Sequence, residues 1–238
     1  MAVPELSFSP EGIELHFATN HIGHFLFTNL LMPKLIKAAE GKPKGTVRVV
    51  NISSGSPWVS AMRWSDPNFE KKSKDLPESE RPNNQIMELF GYKDVENMSY
   101  IPVEAYNQSK VANLLFAIGA TERLYEKYGI LSFAAHPGVI ETELTRSMTE
   151  TTSSAINGMR DSGFIQTKSL GAGAATGVVA ALDPKLDRPK TAFGVENYGA
   201  YFDDCQISGK ALPLAQSSSE AERLWKRSEE LVGEKFEY

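Results

Sequence analysis

The stretch TVRVVNISSG, residues 46–55, decides the fold of this chain. It is a short run rich in β-branched residues that ends in two hydroxyl side chains and a glycine, which is typical of a buried strand in a parallel sheet. A second such run, ILSFAA at residues 130–135, is followed by HPGVIET at residues 136–142. Between the two runs, residues 103–128 carry apolar side chains at helical spacing, and Gly129 is placed to end the helix. The pattern predicts a strand, helix, strand unit of an α/β protein.

The predicted helix carries a phenol and an ammonium group four residues apart. Tyr106 and Lys110 are the first and last residues of the segment YNQSK. Side chains at this spacing share one face of a helix, so the cation is expected to stabilise a phenolate and lower the pKa of the tyrosine. Ser54 ends the first predicted strand, and ligands bind beyond the carboxyl ends of strands in open α/β sheets. We therefore predict that these groups converge on one site.

Four segments in this order resemble the short-chain dehydrogenase/reductases, in the branch of retinol dehydrogenases and fungal carbonyl reductases. The segments are TNHIGHF at 19–25, VVNISS at 49–54, YNQSK at 106–110 and HPGVIET at 136–142. Further resemblance runs through residues 199–202 and 224–228 and so covers nearly all of the chain. It implies a single domain over residues 1–238, with a partial Rossmann-type parallel sheet flanked by helices.

The resemblance also implies a function and the residues that perform it. The expected reaction is hydride transfer between NADP(H) and the carbonyl or alcohol group of an apolar small molecule, with secondary metabolism as one context. NAD is the alternative cofactor. The implied catalytic residues are Asn20, Ser54, Tyr106 and Lys110, and the implied cofactor-binding residues are Tyr106, Lys110, Val139 and Thr142.

Three of these residues have structural alternatives. Ser53 could take the catalytic place while Ser54 bonds only to local backbone. Asn20 either holds a water that links to Lys110 or satisfies backbone groups at a kink. Thr142 either meets the cofactor or caps a strand-to-helix turn.

The resemblance further implies that part of the nucleotide-binding fold is absent. Residues 1–4 align with the family segment directly after the Asn-Asn-Ala-Gly strand end, so roughly 80–100 residues, about one mononucleotide-binding half, are expected to be missing together with the first strands. The segment GAGAATG at 171–177 does not replace the phosphate-binding turn, because no strand precedes it and its third glycine is one residue late. We predict a small-residue helix over residues 169–182 instead. The alternative function is therefore a truncated, non-catalytic remnant or an interaction partner of a full-length homologue.

Three further regions complete the expected organisation. Residues 12–40 are predicted to form one long helix that Pro33 bends. Residues 56–104 form an insertion beside the site, either a substrate-facing lid or a loose surface excursion; its aromatic residues are Trp58, Trp64 and Phe69. A C-terminal helix at residues 220–232 is expected on the substrate side.

Composition narrows the class of partner. The net charge is −5 and no basic stripe is present, which argues against nucleic acid. No apolar run is long enough for a membrane span, and His21 with His24 lack a third ligand for a metal site. The single cysteine, Cys205, is compatible with a cytoplasmic location. The expected partner is a small-molecule substrate, and the family resemblance implies a possible homodimer that pairs through the two long helices.

Overall fold

The structure is a computed structural model that describes residues 1–238. Its α-helices are α1 Leu15–Phe17, α2 Gly23–Ala39, α3 Asn84–Leu89, α4 Pro102–Tyr128, α5 Glu150–Asp161, α6 Leu170–Leu182 and α7 Ser218–Val232. Its strands are β1 Arg48–Ile52, β2 Leu131–His136, β3 Val139–Ile140, β4 Thr167–Lys168, β5 Lys190–Ala192, β6 Val195–Tyr198, β7 Tyr201–Asp203 and β8 Gln206–Ile207.

The main sheet has the strand order β1-β2-β7-β8. β1 pairs in parallel with β2, so that Asn51 lies opposite Ala134, and β2 pairs in parallel with β7. β8 adds an antiparallel edge. Every residue of β2 is buried because α4 and α6 both pack against it. The predicted α/β class, with a mainly parallel sheet flanked by helices, is confirmed.

Helix α4 is the central helix and joins β1 to β2 through the crossover that the sequence predicts. It begins with Pro102 in its first turn, where a missing N–H costs nothing. It ends at Gly129, whose φ of 68° is left-handed and whose N–H donates to the Tyr125 carbonyl at 2.8 Å. The predicted bounds, 103–128, differ from the observed ones by one residue.

The long helix predicted over residues 12–40 begins later than expected and is interrupted near its start. Gly12 has a φ of 77°, which a right-handed helix does not allow, and Glu14 is the N-terminal cap that accepts from the His16 and Phe17 amides. A π-helical turn, Ala18–Ile22, then separates α1 from α2. The interruption therefore lies at this turn, which contains Asn20, whereas Pro33 lies inside α2.

The predicted insertion over residues 56–104 contains buried, packed residues. Arg63 and Asp66 form a buried ion pair at 2.5 Å, and Arg63 also donates to the Lys71 carbonyl at 2.7 Å. A small second core holds the later part of the segment in place; its buried members are Ala2, Met87, Val95, Ile101 and Val103.

The three aromatic residues of the insertion have different surroundings. Phe69 is 1% exposed and packs edge-on against Tyr100, so it is a core residue. The Trp64 indole donates to Glu220 of α7. Trp58 packs edge-on against His136 at the end of β2, so it alone of the three lies beside the strand ends.

The two predicted C-terminal helices are present. α6 begins at the Ser169 cap, and a Cβ on Gly173 would stand 2.0 Å from Ile140, so the small residue allows close packing as predicted. α7 buries Trp225 against Phe116 of α4 and Phe25 of α2. Phe116 lies ten residues beyond Tyr106, or about 15 Å along the helix. The substrate-side role of α7 stays a prediction.

Candidate active site

Tyr106 and Ser54 lie near each other at the end of β1. Tyr106 lies in the second turn of α4 and is 8% exposed, and the Ser54 side chain is close enough to lower the pKa of its phenol. Ser54 follows β1 by two residues, and its carbonyl accepts from the Tyr201 hydroxyl at 2.6 Å. The strand β7 therefore helps to fix the backbone that carries Ser54.

The prediction that Lys110 lowers the pKa of Tyr106 is wrong for this structure. Burial raises the pKa of Tyr106 to about 12, and the Ser54 hydroxyl only partly opposes the rise. Loss of solvation disfavours the charged phenolate, and this effect is larger than the help from its neighbours. The phenol is therefore protonated at neutral pH.

Lys110 lies one turn beyond Tyr106, as predicted, but does not bond to its hydroxyl. Its Nζ is 5.8 Å from the centre of the Tyr106 ring and donates to the Ile52 carbonyl at 3.0 Å. Burial lowers the pKa of Lys110 to about 8. The amine is thus cationic at neutral pH and is anchored at the same strand end as Ser54.

Ser53 and Ser54 have different partners, which indicates which of the two belongs to the candidate site. Ser53 is 2% exposed and its Oγ donates to the Lys110 carbonyl at 2.8 Å, so it ties β1 to α4. Ser54 is the residue that faces Tyr106. The geometry therefore favours Ser54 over Ser53 as the site serine.

Asn20 approaches the same helix from the π-helical turn. Its Nδ2 donates to Ser109 Oγ at 3.0 Å, and that hydroxyl donates to the Tyr106 carbonyl at 2.7 Å. Asn20 is thus connected to the backbone that carries Tyr106, and it makes no direct hydrogen bond to Lys110.

A buried pair of polar side chains lies against the ring of Tyr106. His16 Nδ1 and Glu14 Oε1 are 2.6 Å apart, and His16 Nε2 accepts from the Val3 amide at 3.1 Å. The Nε2 atom must therefore be unprotonated, so Nδ1 carries the proton that Glu14 accepts. The imidazole meets Tyr106 edge-on with ring centres 6.4 Å apart, and the pair helps to hold the aromatic ring in place.

Val139 and Thr142 lie beyond the end of β2. Val139 is in the short strand β3, and the intervening Gly138 has a φ of 85°. Thr142 is exposed, and its Oγ1 accepts from the Leu144 amide at 3.3 Å as the cap of a short 3-10 turn. Neither side chain hydrogen-bonds to Tyr106, Ser54 or Lys110.

Comparison with known proteins identifies the family. The chain is 32% identical to mouse retinol dehydrogenase 12 over 234 residues, an alignment that covers 97% of this chain and 58% of the mouse protein. It is 33% identical over 226 residues to the chloroplastic short-chain dehydrogenase TIC 32 B of Brassica napus, covering 94% of this chain and 58% of that protein. The chain is by homology a short-chain dehydrogenase/reductase.

A solved structure supports the same fold for this short-chain dehydrogenase/reductase. A crystal structure of an uncharacterized protein from Mycobacterium paratuberculosis superimposes with a TM-score of 0.53 at 25% identity, covering 100% of this chain and 65% of that one. No family model matches the chain. The alignments span from about one third to two thirds of the length of the curated relatives that the chain matches. No helix in it combines the length and apolar character that crossing a bilayer requires.

Sequence reasoning missed several polar residues around the candidate site. Ser56 contacts Ser54, and Asn107 and Glu104 continue from it into the protein interior. Tyr201, which bonds to the Ser54 carbonyl, was also missed. The only signal for this group was the extra hydroxyl in Ser54-Gly55-Ser56, since its other members are distant in sequence.

Proposed function

We propose that this protein transfers hydride between NADP(H) and the carbonyl or alcohol group of an apolar small molecule. The observation that carries the proposal is the placement of Tyr106 beside Ser54 at the end of β1, where Lys110 donates to the Ile52 carbonyl. The homologues named as dehydrogenases support it. NAD is the alternative cofactor.

In the direction of reduction, Tyr106 is the general acid. When bound, the nicotinamide supplies the hydride that forms the new C–H bond, and the electron pair of the carbonyl π bond moves onto oxygen. The Tyr106 O–H bond then breaks, its proton joins that oxygen, and a phenolate remains. An alkoxide is a much stronger base than a phenolate, so a phenol with a pKa of about 12 can donate to it. Oxidation reverses these steps.

The donor groups of the site fit the nicotinamide end of the cofactor. Lys110 donates one of its three N–H groups to the Ile52 carbonyl, and the other two could donate to ribose hydroxyls. Its positive charge also favours the phenolate that remains on Tyr106. Val139 and Thr142 would meet the carboxamide and phosphate groups, and Asn20 would support the helix turn that carries Tyr106.

An apolar substrate is favoured by the side chain of Trp58. Its indole lies beside the strand ends, packed on His136, and Lys210 lies over it at 4.7 Å from the ring centre. Burial lowers the pKa of His136 to about 4, so the imidazole is uncharged at neutral pH. The aromatic side chain of Trp58 and the uncharged His136 ring suit a carbonyl compound with an apolar body.

A second candidate function is a non-catalytic partner of a longer homologue. The open edge of β1 favours it, because β1 has a neighbour on one side only and Ile52 at its end is 51% exposed. An unpaired parallel edge can accept a strand from another chain. This function requires none of the catalytic residues.

Turnover and cofactor binding of the 238-residue chain distinguish the two functions. We expect NADPH consumption with apolar aldehydes or ketones, and a Tyr106→Phe variant that loses about 100-fold or more in kcat while its NADPH Kd is unchanged. Tyr128→Phe, on the same helix, is the matched control and should retain full activity. If the wild-type chain neither binds NADPH nor turns over any carbonyl compound, the proposal fails and the second candidate stands.

A further inference from the structure

The carbonyl of Ile52, the last residue of β1, points to the open edge of the main sheet. The Val47 carbonyl accepts from the Leu131 amide at 3.2 Å, and the Ser53 amide donates to the Ala135 carbonyl at 2.9 Å. The odd-numbered residues of this segment therefore face β2. Because successive strand residues direct their backbone groups to opposite sides, the Ile52 carbonyl faces away from β2, where the sheet has no further strand.

Two side chains of α4 donate to this outward-facing oxygen. Asn113 Nδ2 lies 2.9 Å from it, and Lys110 Nζ lies 3.0 Å from it. Residues 110 and 113 are three positions apart, so they share one face of the helix. A carbonyl oxygen has two lone pairs, and the two donors together satisfy it.

The two donors differ in how firmly they are held. Asn113 is 6% exposed, uncharged and short, so few rotamers are open to it. Lys110 reaches the same oxygen with a flexible four-carbon stem that ends in a compact charge. Its ammonium could approach either lone pair if both were free. The position of the ammonium thus depends on which lone pair Asn113 leaves open.

We propose that Asn113 is a positioning residue for Lys110: by donating to one lone pair of the Ile52 carbonyl, it restricts the Lys110 ammonium to the other. The ammonium nitrogen is tetrahedral, so fixing its bond to Cε and the direction of one N–H group also fixes the other two N–H groups. Asn113 therefore aims donors that it does not itself touch. The restraint is independent of the proposed function, and its consequence for cofactor binding rests on that function.

Under the proposed function, the two aimed N–H groups of Lys110 are those that donate to ribose hydroxyls. A donor that already points in the required direction loses less conformational entropy on binding. The same restraint fixes the positive charge relative to Tyr106, whose ring centre is 5.8 Å from Nζ. Asn113 thus contributes to cofactor affinity without contacting the cofactor.

Nitrogen-15 relaxation of the Lys110 ammonium in the ligand-free chain tests the restraint without any turnover. In Asn113→Leu the second lone pair becomes available, so we expect the order parameter of this ammonium to fall toward that of the exposed Lys42. Asn29→Leu is the matched control, because Asn29 is 2% exposed and its Nδ2 donates to the Phe25 carbonyl at 3.0 Å in another helix. The control should keep the wild-type order parameter. An unchanged order parameter in Asn113→Leu overturns the proposal.

Asn113→Asp keeps the size of the side chain and decides the proposal if Asn113→Leu does not fold. A carboxylate cannot donate to the Ile52 carbonyl, and it attracts the ammonium that lies at the same oxygen. We expect the pKa of Lys110, about 8 in the wild type, to rise by about 1 or more. The Tyr106 phenol and the Met1 ammonium also lie near Lys110 and are unchanged by the substitution. Carbon-13 NMR of Lys110 Cε measures this pKa, and a wild-type value in Asn113→Asp contradicts the proposal.

The dissociation constant of NADPH tests the consequence for the cofactor. Asn113→Leu should raise this Kd about 10-fold, roughly the value of one net hydrogen bond, whereas Asn29→Leu should bind NADPH as the wild type does. Equal Kd values for wild type and Asn113→Leu would refute the link between the restraint and cofactor affinity. If the wild-type chain binds no NADPH, the proposed function fails, and the NMR measurements alone decide the role of Asn113.

Discussion

The two halves of helix α4 are both buried but by different means. Its first turns contain Tyr106 and the buried polar residues Glu104 and Asn107, which hydrogen-bond to Ser60 and Ser56. From Val111 onward its buried residues are mainly apolar and join the main core with Phe25 and Trp225. The first half therefore positions polar side chains of the candidate site, and the second half packs the helix into the main core. We therefore expect substitutions in the two halves to separate loss of activity from loss of stability.

The largest effect on stability should come from the core into which the apolar half of α4 packs. Phe25 is fully buried and packs edge-on against Phe116, Trp225 and Phe236. Phe25→Ala should lower the free energy of unfolding by about 3–5 kcal/mol, because it removes a large buried ring and leaves a cavity. Urea denaturation followed by circular dichroism measures this.

The matched control for that variant lies two residues along the same helix. Phe27 is 61% exposed, so Phe27→Ala should change the unfolding free energy by less than about 0.5 kcal/mol. A similar loss in both variants would show that burial does not explain the stability of this half.

The sequence predicts contacts between residues that are close along the chain, and it does not predict contacts between residues that are far apart along it. The strand, helix, strand unit and the pairing of Tyr106 with Lys110 follow from local spacing, and the structure has both. The hydrogen bond between Ser56 and Asn107 joins residues 51 positions apart, and no periodicity reveals such a contact. The direction of the Tyr106 pKa shift also depended on burial, which the helix spacing alone does not measure.

A buried histidine behind the apolar half should make stability sensitive to acid. His21 is buried, its Nε2 lies 2.7 Å from Ser228 Oγ, and burial and then the charge of His24 lower its pKa from 6.5 to about 3. Below about pH 6.5 the unfolded chain therefore binds a proton at His21, whereas the folded chain does so only near pH 3. The contribution of His21 to the free energy of unfolding is thus fully present above pH 6.5 and is lost as the pH falls toward 3.

Two substitutions isolate this contribution. In the wild type, the free energy of unfolding should fall as the pH is lowered from 6.5 to 4. His21→Gln should reduce the slope of this fall by up to about 1.4 kcal/mol per pH unit. His24→Gln, at an exposed position in the next turn, removes only the smaller, charge-based part of the shift and should flatten the slope less than His21→Gln. Equal slopes in wild type and His21→Gln would refute the burial argument.

In the polar half, Lys110 should give a pH dependence in the alkaline range. Burial lowers its pKa from 10.5 to about 8, so between these values the unfolded chain holds a proton that the folded chain releases. Stability contributed at this position should then rise with pH across that window. The difference in unfolding free energy between wild type and Lys110→Met should grow by up to about 1.4 kcal/mol per pH unit from pH 8 to 10. Lys127→Met, near the exposed end of α4, is the control and should show no such growth.

The smallest effect should come from the ion pair at the outer rim of the apolar half. Arg123 and Glu222 are 2.5 Å apart, but their side chains are 22% and 45% exposed. Water and salt weaken such a pair, so Glu222→Gln should cost less than about 1 kcal/mol, and the cost should shrink as salt is added. Arg123 also lies over the Trp225 ring at 4.2 Å, a contact that Glu222→Gln leaves intact, so Arg123→Met should destabilise more than Glu222→Gln. If the two variants lose equal stability, the ion pair rather than the stacking on Trp225 accounts for the role of Arg123, and the apolar half depends on charge more than its buried residues indicate.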